Sequence, residues 1–167
     1  AALFLHQERA ANVTGITLSE KQKDFAQQLV LDQGVTDSID FQLMDYTNTS
    51  FESDSLDVIW ACESVSSAAS KRAFMNEAFR LLRPDGTLVL SDFFRTPKAD
   101  ADTNDWVKKW GETWAISEFV GLDFFREQLN EAGFNSIESH DYTSAIEKSA
   151  KKMYQAAKLG ALPSRLY

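Results

Sequence analysis

Apolar positions along this chain keep two rhythms. Short β-branched or leucine-rich runs at Val13–Leu18, Ile39–Met44, Leu56–Cys62 and Gly86–Phe93 are bounded by polar or glycine breaks, which predicts buried strands. Helical spacing fills the intervals. Phe25, Ala26, Leu29 and Val30 share one face of a helix that opens at Ser19 and stops at Gly34, with Ser19 and Gln22 at capping-box spacing. Phe74, Met75, Ala78, Phe79 and Leu82 mark a second helix, and Leu122, Phe125, Leu129 and Ala132 a third that Gly133 ends. Ala1–Ala11 reads as the end of a helix. Arg83-Pro84-Asp85-Gly86 predicts a turn before the fourth strand. Phe134–Tyr142 alternates weakly and is expected as an outer strand. Ser144 and Glu147 repeat the capping-box spacing and open a helix that runs to Gly160.

Strands alternating with helices imply an α/β fold, with parallel β-α units and helices on both faces of the sheet. The 167 residues fit one domain, 1–167, and the polar stretch Asp100–Asp105 reads as a loop inside it. Apolar residues make up 44% and charged residues 25%, which suits a globular chain with a real core. The formal charge of −8 argues against bulk binding to nucleic acid or to an anionic membrane. Cys62 is the single cysteine, so neither an internal disulfide nor a cysteine-based metal site can form, and no metal is expected. That usage suits a reducing cytoplasm. No stretch reaches the ~20 apolar residues of a membrane span.

Candidate chemistry gathers where strands end. The first strand exits through Gly15-Ile16-Thr17-Leu18-Ser19-Glu20-Lys21-Gln22, the second through Asp45-Tyr46, and the third through Trp60-Ala61-Cys62-Glu63-Ser64. In open α/β sheets the carboxyl ends of strands are where ligands bind. With the Leu81–Leu90 run, these segments resemble the class I methyltransferase superfamily, which uses S-adenosylmethionine (SAM). The nearest likeness is to the gamma-tocopherol methyltransferase and cyclopropane fatty acid synthase group, over about Val13 to Thr143. The resemblance implies a Rossmann-like sheet. It implies that Thr17 and Gln22 contact the ribose, Leu18 packs near the adenine, Asp45 and Tyr46 meet the adenine edge, and Ala61 and Cys62 lie against the methionine part. A neutral amide both donates to and accepts from a diol, which suits Gln22. The plainer alternatives stay open: Gln22 as a helix cap, Thr17 as a strand end, Asp45-Tyr46 as a turn, Cys62 as a small buried hydrophobe.

By the same resemblance, Glu63, Ser64 and Ser67 face a small-molecule acceptor. The family's Glu-His pair is replaced here by Ser66-Ser67, so no general base carries over. Glu63, Asp92 and His140 remain as catalytic candidates, with an exposed strand position the competing reading for His140. Trp106, Trp110 and Trp114 recur every fourth residue. That stripe either covers an apolar acceptor pocket or packs on the core.

One expected motif is missing. The family opens with a strand and a glycine-rich loop that lets backbone N–H groups approach the methionine carboxylate. The seven glycines here include no two within four positions of each other. The sheet is therefore expected to lack its first central strand, and also the final strand that the family adds beyond Tyr167. Three explanations stay open: a natural protein extending past both ends, a truncated derivative, or a misleading likeness. The leading expectation is a SAM-dependent small-molecule methyltransferase or a fragment of one. The alternative is a non-catalytic derivative acting through partner contacts, as a homo-oligomer if the truncation is real. A nucleotide-binding oxidoreductase ranks last, because no G-x-G-x-x-G is present.

Overall fold

The computed structural model describes residues 1–97, 102–116 and 118–160. Its elements follow in the order α1 (Ala2–Arg9), β1 (Val13–Thr17), α2 (Glu20–Asp32), β2 (Ile39–Leu43), β3 (Leu56–Cys62), a 3-10 turn (Val65–Ser67), α3 (Lys71–Leu81), β4 (Leu82–Ser91), α4 (Trp106–Thr113), α5 (Leu122–Ala132) and α6 (Thr143–Gly160). All four predicted strands form, and every pairing is parallel. β1 pairs with β2, Val13 opposite Ile39 and Thr17 opposite Leu43. β3 pairs with β4, Val58 opposite Thr87 and Cys62 opposite Ser91. Among the described residues these are two separate two-stranded sheets, which is what a doubly wound sheet without its central strand leaves.

The core gathers on one side of the second sheet. Phe74, Met75, Ala78 and Leu81 of α3 are buried with Ala61, Leu82, Val65, Phe125 and Leu129. Ser70 caps α3, its hydroxyl accepting from the Ala73 N–H at 3.1 Å. Gly133 ends α5 in the left-handed region at φ 110. A side chain there would also meet the Phe79 ring at 2.6 Å, so only glycine fits on both counts. The other side of the second sheet is open: Val58, Trp60 and Val89 are exposed. In α2 only Val30 of the expected apolar face is buried, and Phe25 is 68% exposed.

Several boundaries differ from the sequence expectation. The Pro-Asp-Gly turn lies inside β4 as an irregularity: partners advance from Leu56–Leu82 to Val58–Thr87, and Asp85 takes φ 66. Phe134–Tyr142 forms no strand, and 136–142 is irregular apart from a bend. Its alternation is weak and most of its residues are exposed, so no sheet face draws it in. The Ser144–Glu147 box does not form either. Asp141 takes the Thr143 N–H at 2.8 Å and the helix starts at Thr143, two residues earlier than a Ser144 cap would start it, while Glu147 pairs with Lys151 at 2.6 Å. Asp100 and Ala101 of the polar break, and residues 161–167, lie outside the described residues. Contacts divide the chain into two compact units, Ala1–Asn135 and one beginning at Ser136. No helix among the described residues is long and apolar enough to cross a membrane.

This packing sets an expected contrast. Met75→Ala, at a fully buried site, should cost about 2–5 kcal/mol. Phe25→Ala, at an exposed one, should stay within about 0.5 kcal/mol. Urea unfolding of the two variants measures both, and equal losses would contradict the assignment of the core to the α3 side.

Candidate functional site

The carboxyl ends of β1 and β2 are level, because Thr17 sits opposite Leu43 and the Met44 N–H extends the ladder to the Thr17 carbonyl at 3.1 Å. The Thr17 hydroxyl donates to Gln22 Oε1 at 2.8 Å and accepts from the Ser19 N–H at 3.1 Å. Ser19 Oγ in turn accepts from the Gln22 N–H at 3.3 Å. Half of the expected capping box therefore forms. The Gln22 side chain turns to Thr17 instead of closing the box, which leaves its NH2 group as a donor beside the strand end. Leu18 is 74% exposed next to this pair. Across the edge, Asp45 Oδ1 accepts from both the N–H and the hydroxyl of Thr47, at 2.8 and 2.7 Å. Those bonds, the backbone one first, hold the carboxyl below its ordinary range. Asp45 is ionised at neutral pH, and Oδ2 remains an acceptor.

The second sheet presents its own exit. Ala61 is buried and Cys62 exposed. The Glu63 N–H donates to the Ser91 carbonyl at 2.7 Å, and Glu63 takes φ 48, which bends the chain sharply out of the strand. The Ser64 carbonyl then accepts from the Tyr46 hydroxyl at 3.0 Å. This bond brings the Asp45-Tyr46 exit of the first sheet to the Ala61–Ser64 exit of the second. The Tyr46 ring meets Phe74 edge-on at 5.7 Å. Burial, with the Asp45 and Asp92 charges adding to it, pushes the phenol above its ordinary range, so it stays a neutral donor.

Beyond Ser64 the 3-10 turn is fastened from two directions. The Ser66 N–H donates to Asp92 Oδ2 at 2.9 Å, while Asp92 Oδ1 takes the Phe93 N–H at 2.8 Å. Lys71 Nζ donates to the carbonyls of Ser66 and Ala68 at 2.9 and 3.0 Å. Burial lowers the Lys71 amine, and the charges of Glu118 and Asp92 oppose that shift. Both oxygens of Asp92 already take an amide proton, an arrangement that fits a fastener of the turn better than a proton acceptor. Ser66 is buried and Ser67 exposed.

Next to this turn the aromatic residues form a stack. Trp110 lies parallel to Phe119 at 5.1 Å and edge-on to Phe93 at 5.2 Å. Trp106 and Trp114 do not join it: both are largely exposed, and Trp114 follows the last residue of α4. An open groove of about 530 Å³ runs along α4, lined by Val107, Gly111, Ile116 and Phe119 and by the charged Arg95, Asp102, Asp105, Lys108, Glu112 and Glu118. His140 belongs to the second unit, where it is exposed in an irregular segment, 3.9 Å from Glu138. Among the described residues, no group of three or more His, Cys, Asp or Glu is placed to hold a metal ion.

Sequence reasoning passed over Glu77 and Arg80. Glu77 is buried. Its Oε1 accepts from the N–H and hydroxyl of Thr49 at 2.7 and 2.6 Å and from Arg80 at 2.7 Å. Arg80 also donates to the Phe51 carbonyl at 3.0 Å and to Ser53 Oγ at 3.1 Å. The available signal was a carboxylate three residues after Phe74, on the helix's apolar face, with an arginine three residues further on.

Comparison with known proteins bears on this geometry. The family profile described as "Methyltransferase domain" matches residues 1–90. The 27-O-demethylrifamycin SV methyltransferase of Amycolatopsis mediterranei (strain S699) is 32% identical over 145 residues, covering 84% of this chain and 52% of that protein. The 2-methyl-6-phytyl-1,4-hydroquinone methyltransferase of Synechocystis sp. is 29% identical over 146 residues, covering 84% and 45%. The chain thus spans about half the length of these relatives. Among solved structures, the [4+2]-cyclase SpnF superposes with a TM-score of 0.73 at 23% identity, over 86% of this chain and 49% of that one. A geranyl diphosphate methyltransferase in complex with SAM gives 0.71 at 21% identity, over 78% and 51%. These likenesses fix the fold as Rossmann-like.

The Glu77 cluster sets a pH dependence. Its hydrogen bonds from Arg80 lead the causes that lower the carboxyl from 4.5 to about 2, and the Thr49 bonds add to them against the cost of burial. A depressed folded-state value gives stability that is complete above the unfolded-state value and lost as pH falls toward the folded one. Unfolding free energy should therefore drop between pH 5 and 2, and Glu77→Gln should flatten that drop. Urea titrations at stepped pH read the slope, and identical slopes for variant and wild type would contradict the assignment.

Proposed function

The chain belongs to the methyltransferase domain family, and on that premise we propose that it binds SAM along the joined carboxyl edges of β1, β2 and β3 and serves methylation of a small, apolar, ring-bearing acceptor. The observation that carries this reading is the Tyr46–Ser64 hydrogen bond. It brings the Asp45-Tyr46 exit of the first sheet to the Ala61–Ser64 exit of the second, which supports one shared cofactor edge.

The donor set fits the cofactor. The Gln22 amide has donors left for a ribose hydroxyl once its oxygen is occupied by Thr17. Asp45, ionised and with Oδ2 available, suits the exocyclic amine of adenine. Exposed Leu18 offers an apolar surface for a base, and Ala61 and Cys62 are small enough to admit a methionine chain. When bound, the cofactor supplies a methyl group on a sulfonium. The protein's part is to orient the acceptor and exclude water. Trp110, backed by Phe119 and edged by Phe93, offers an apolar ring face for an acceptor, and Ser67 and Glu63 are exposed polar candidates for contacts to it. Two of the relatives are named as methyltransferases of 27-O-demethylrifamycin SV and of 2-methyl-6-phytyl-1,4-hydroquinone, which supports a small-molecule acceptor.

A second reading, a domain that acts through self-association after losing cofactor binding, is favoured by the exposed Val58, Trp60 and Val89 on the open side of the second sheet. The likeness to the [4+2]-cyclase SpnF adds that this fold alone does not commit a chain to methyl transfer.

Titration with S-adenosylhomocysteine, followed by amide NMR, separates the two readings. No glycine-rich loop is present in the 167 residues to supply backbone donors, so weak binding is expected, with shifts concentrated at Thr17, Leu18, Gln22, Asp45, Tyr46 and Cys62. Shifts scattered over the surface, or none at saturation together with a dimer in sedimentation, would overturn the methyltransferase reading in favour of the second.

A further inference from the structure

We propose that Glu77 is the positioning residue of the adenine edge: from α3 it holds the loop after β2 and so keeps Asp45 and Tyr46 against the exit of β3. The inference rests on the cofactor reading above for its ligand, and on geometry alone for its mechanism.

The loop after β2 spans Met44 to Ser55 and contains no helix or strand of its own. A segment of that length has few internal bonds to define it, and its conformation is set by what it docks on. Here α3 supplies the dock, at alternate loop positions. Glu77 Oε1 takes the N–H and hydroxyl of Thr49, and Arg80 donates to the Phe51 carbonyl and Ser53 Oγ. The end of the helix continues the series, since the Arg80 and Leu81 carbonyls accept from the N–H groups of Asp54 and Ser55 at 3.0 and 2.9 Å. At the start of the loop, Phe74 meets the Tyr46 ring. One face of α3, from Phe74 through Glu77 to Leu81, therefore grips both ends of the loop and its middle.

Glu77 is the keystone of that face. It bonds to the loop directly, and its two oxygens also fix the Arg80 guanidinium, whose Nε and Nη2 approach them at 2.9 and 2.7 Å. A bidentate arginine–carboxylate pair has a fixed fork geometry, and Arg80 reaches Phe51 and Ser53 with the nitrogen that the fork leaves over. Removing the carboxylate frees Thr49 and lets the guanidinium rotate away from Phe51 and Ser53. Three loop anchors then loosen together, and Thr49 is only two residues beyond the Asp45–Thr47 turn. The carboxylate is nearly enclosed, so it is there to hold the loop and not to meet ligand.

The test uses the full chain with Glu77→Ala, Glu77→Gln and a stability control remote from the loop, Leu129→Ala on α5. Amide hydrogen exchange of the ligand-free proteins and calorimetric titration with adenosine are measured where all variants are folded by circular dichroism. Adenosine is the probe because it lacks the methionine part. In Glu77→Ala the amides of residues 45–55 should exchange at least tenfold faster, with β1, β3 and α5 unchanged, and adenosine affinity should fall at least tenfold. Glu77→Gln keeps one oxygen for Thr49 and should fall between. Leu129→Ala should lower the unfolding temperature without either effect. Unchanged loop exchange in Glu77→Ala, or an equal affinity loss in Leu129→Ala, would overturn the positioning role. If wild type binds no adenosine, the cofactor reading fails, and loop exchange still decides whether Glu77 holds the loop.

Discussion

Two parallel ribbons of two strands each share no backbone ladder among the described residues, so their alignment rests on side chains. The Tyr46 hydroxyl on the Ser64 carbonyl is the bond that joins them at the functional edge. Alone it contributes about 0.5–1.5 kcal/mol, and the edge-on Tyr46–Phe74 contact adds an amount of the same order. Neither would hold a loop in place unaided. They hold because α3 packs Met75, Ala78 and Leu81 into the core while turning Phe74 and Glu77 toward the loop. The helix that stabilises the second sheet is thus the same one that positions the exit of the first.

That dual use shows which parts of the protein could be read from its sequence. The strands were legible because β-branched runs between glycine and polar breaks report burial directly, and α3 and α5 because their apolar spacing is strong. The clustering of Thr17, Gln22, Asp45 and Cys62 at strand ends was legible as position along the chain. The bonds that connect them were not. Tyr46–Ser64 spans 18 residues and Thr49–Glu77 spans 28, and no local pattern encodes a partner so distant. Phe134–Tyr142 failed for the opposite reason. Its weak alternation was a local signal that no neighbouring strand among the described residues pairs with.

The same logic separates the tryptophans. Spacing placed Trp106, Trp110 and Trp114 on one stripe, but among the described residues only Trp110 stacks with other aromatic rings, those of Phe93 and Phe119, while Trp106 carries the Lys109 ammonium over its face. The aromatic stack is therefore made by residues from three segments, the stretch after β4, α4 and the stretch before α5, and two of its three members carried no helical signal. On the opposite side of the second sheet, Val58, Trp60 and Val89 stand exposed beside the unpaired edge of β3.

The most direct measurement is a crystal structure of this chain grown with S-adenosylhomocysteine. The account predicts adenine against Leu18 with its amine on Asp45, ribose hydroxyls at Thr17 and Gln22, the sulfur beside Ala61 and Cys62, and the Tyr46–Ser64 bond intact beneath the ligand. Ligand density elsewhere on the chain, or at this edge with the Tyr46–Ser64 bond broken, would contradict it.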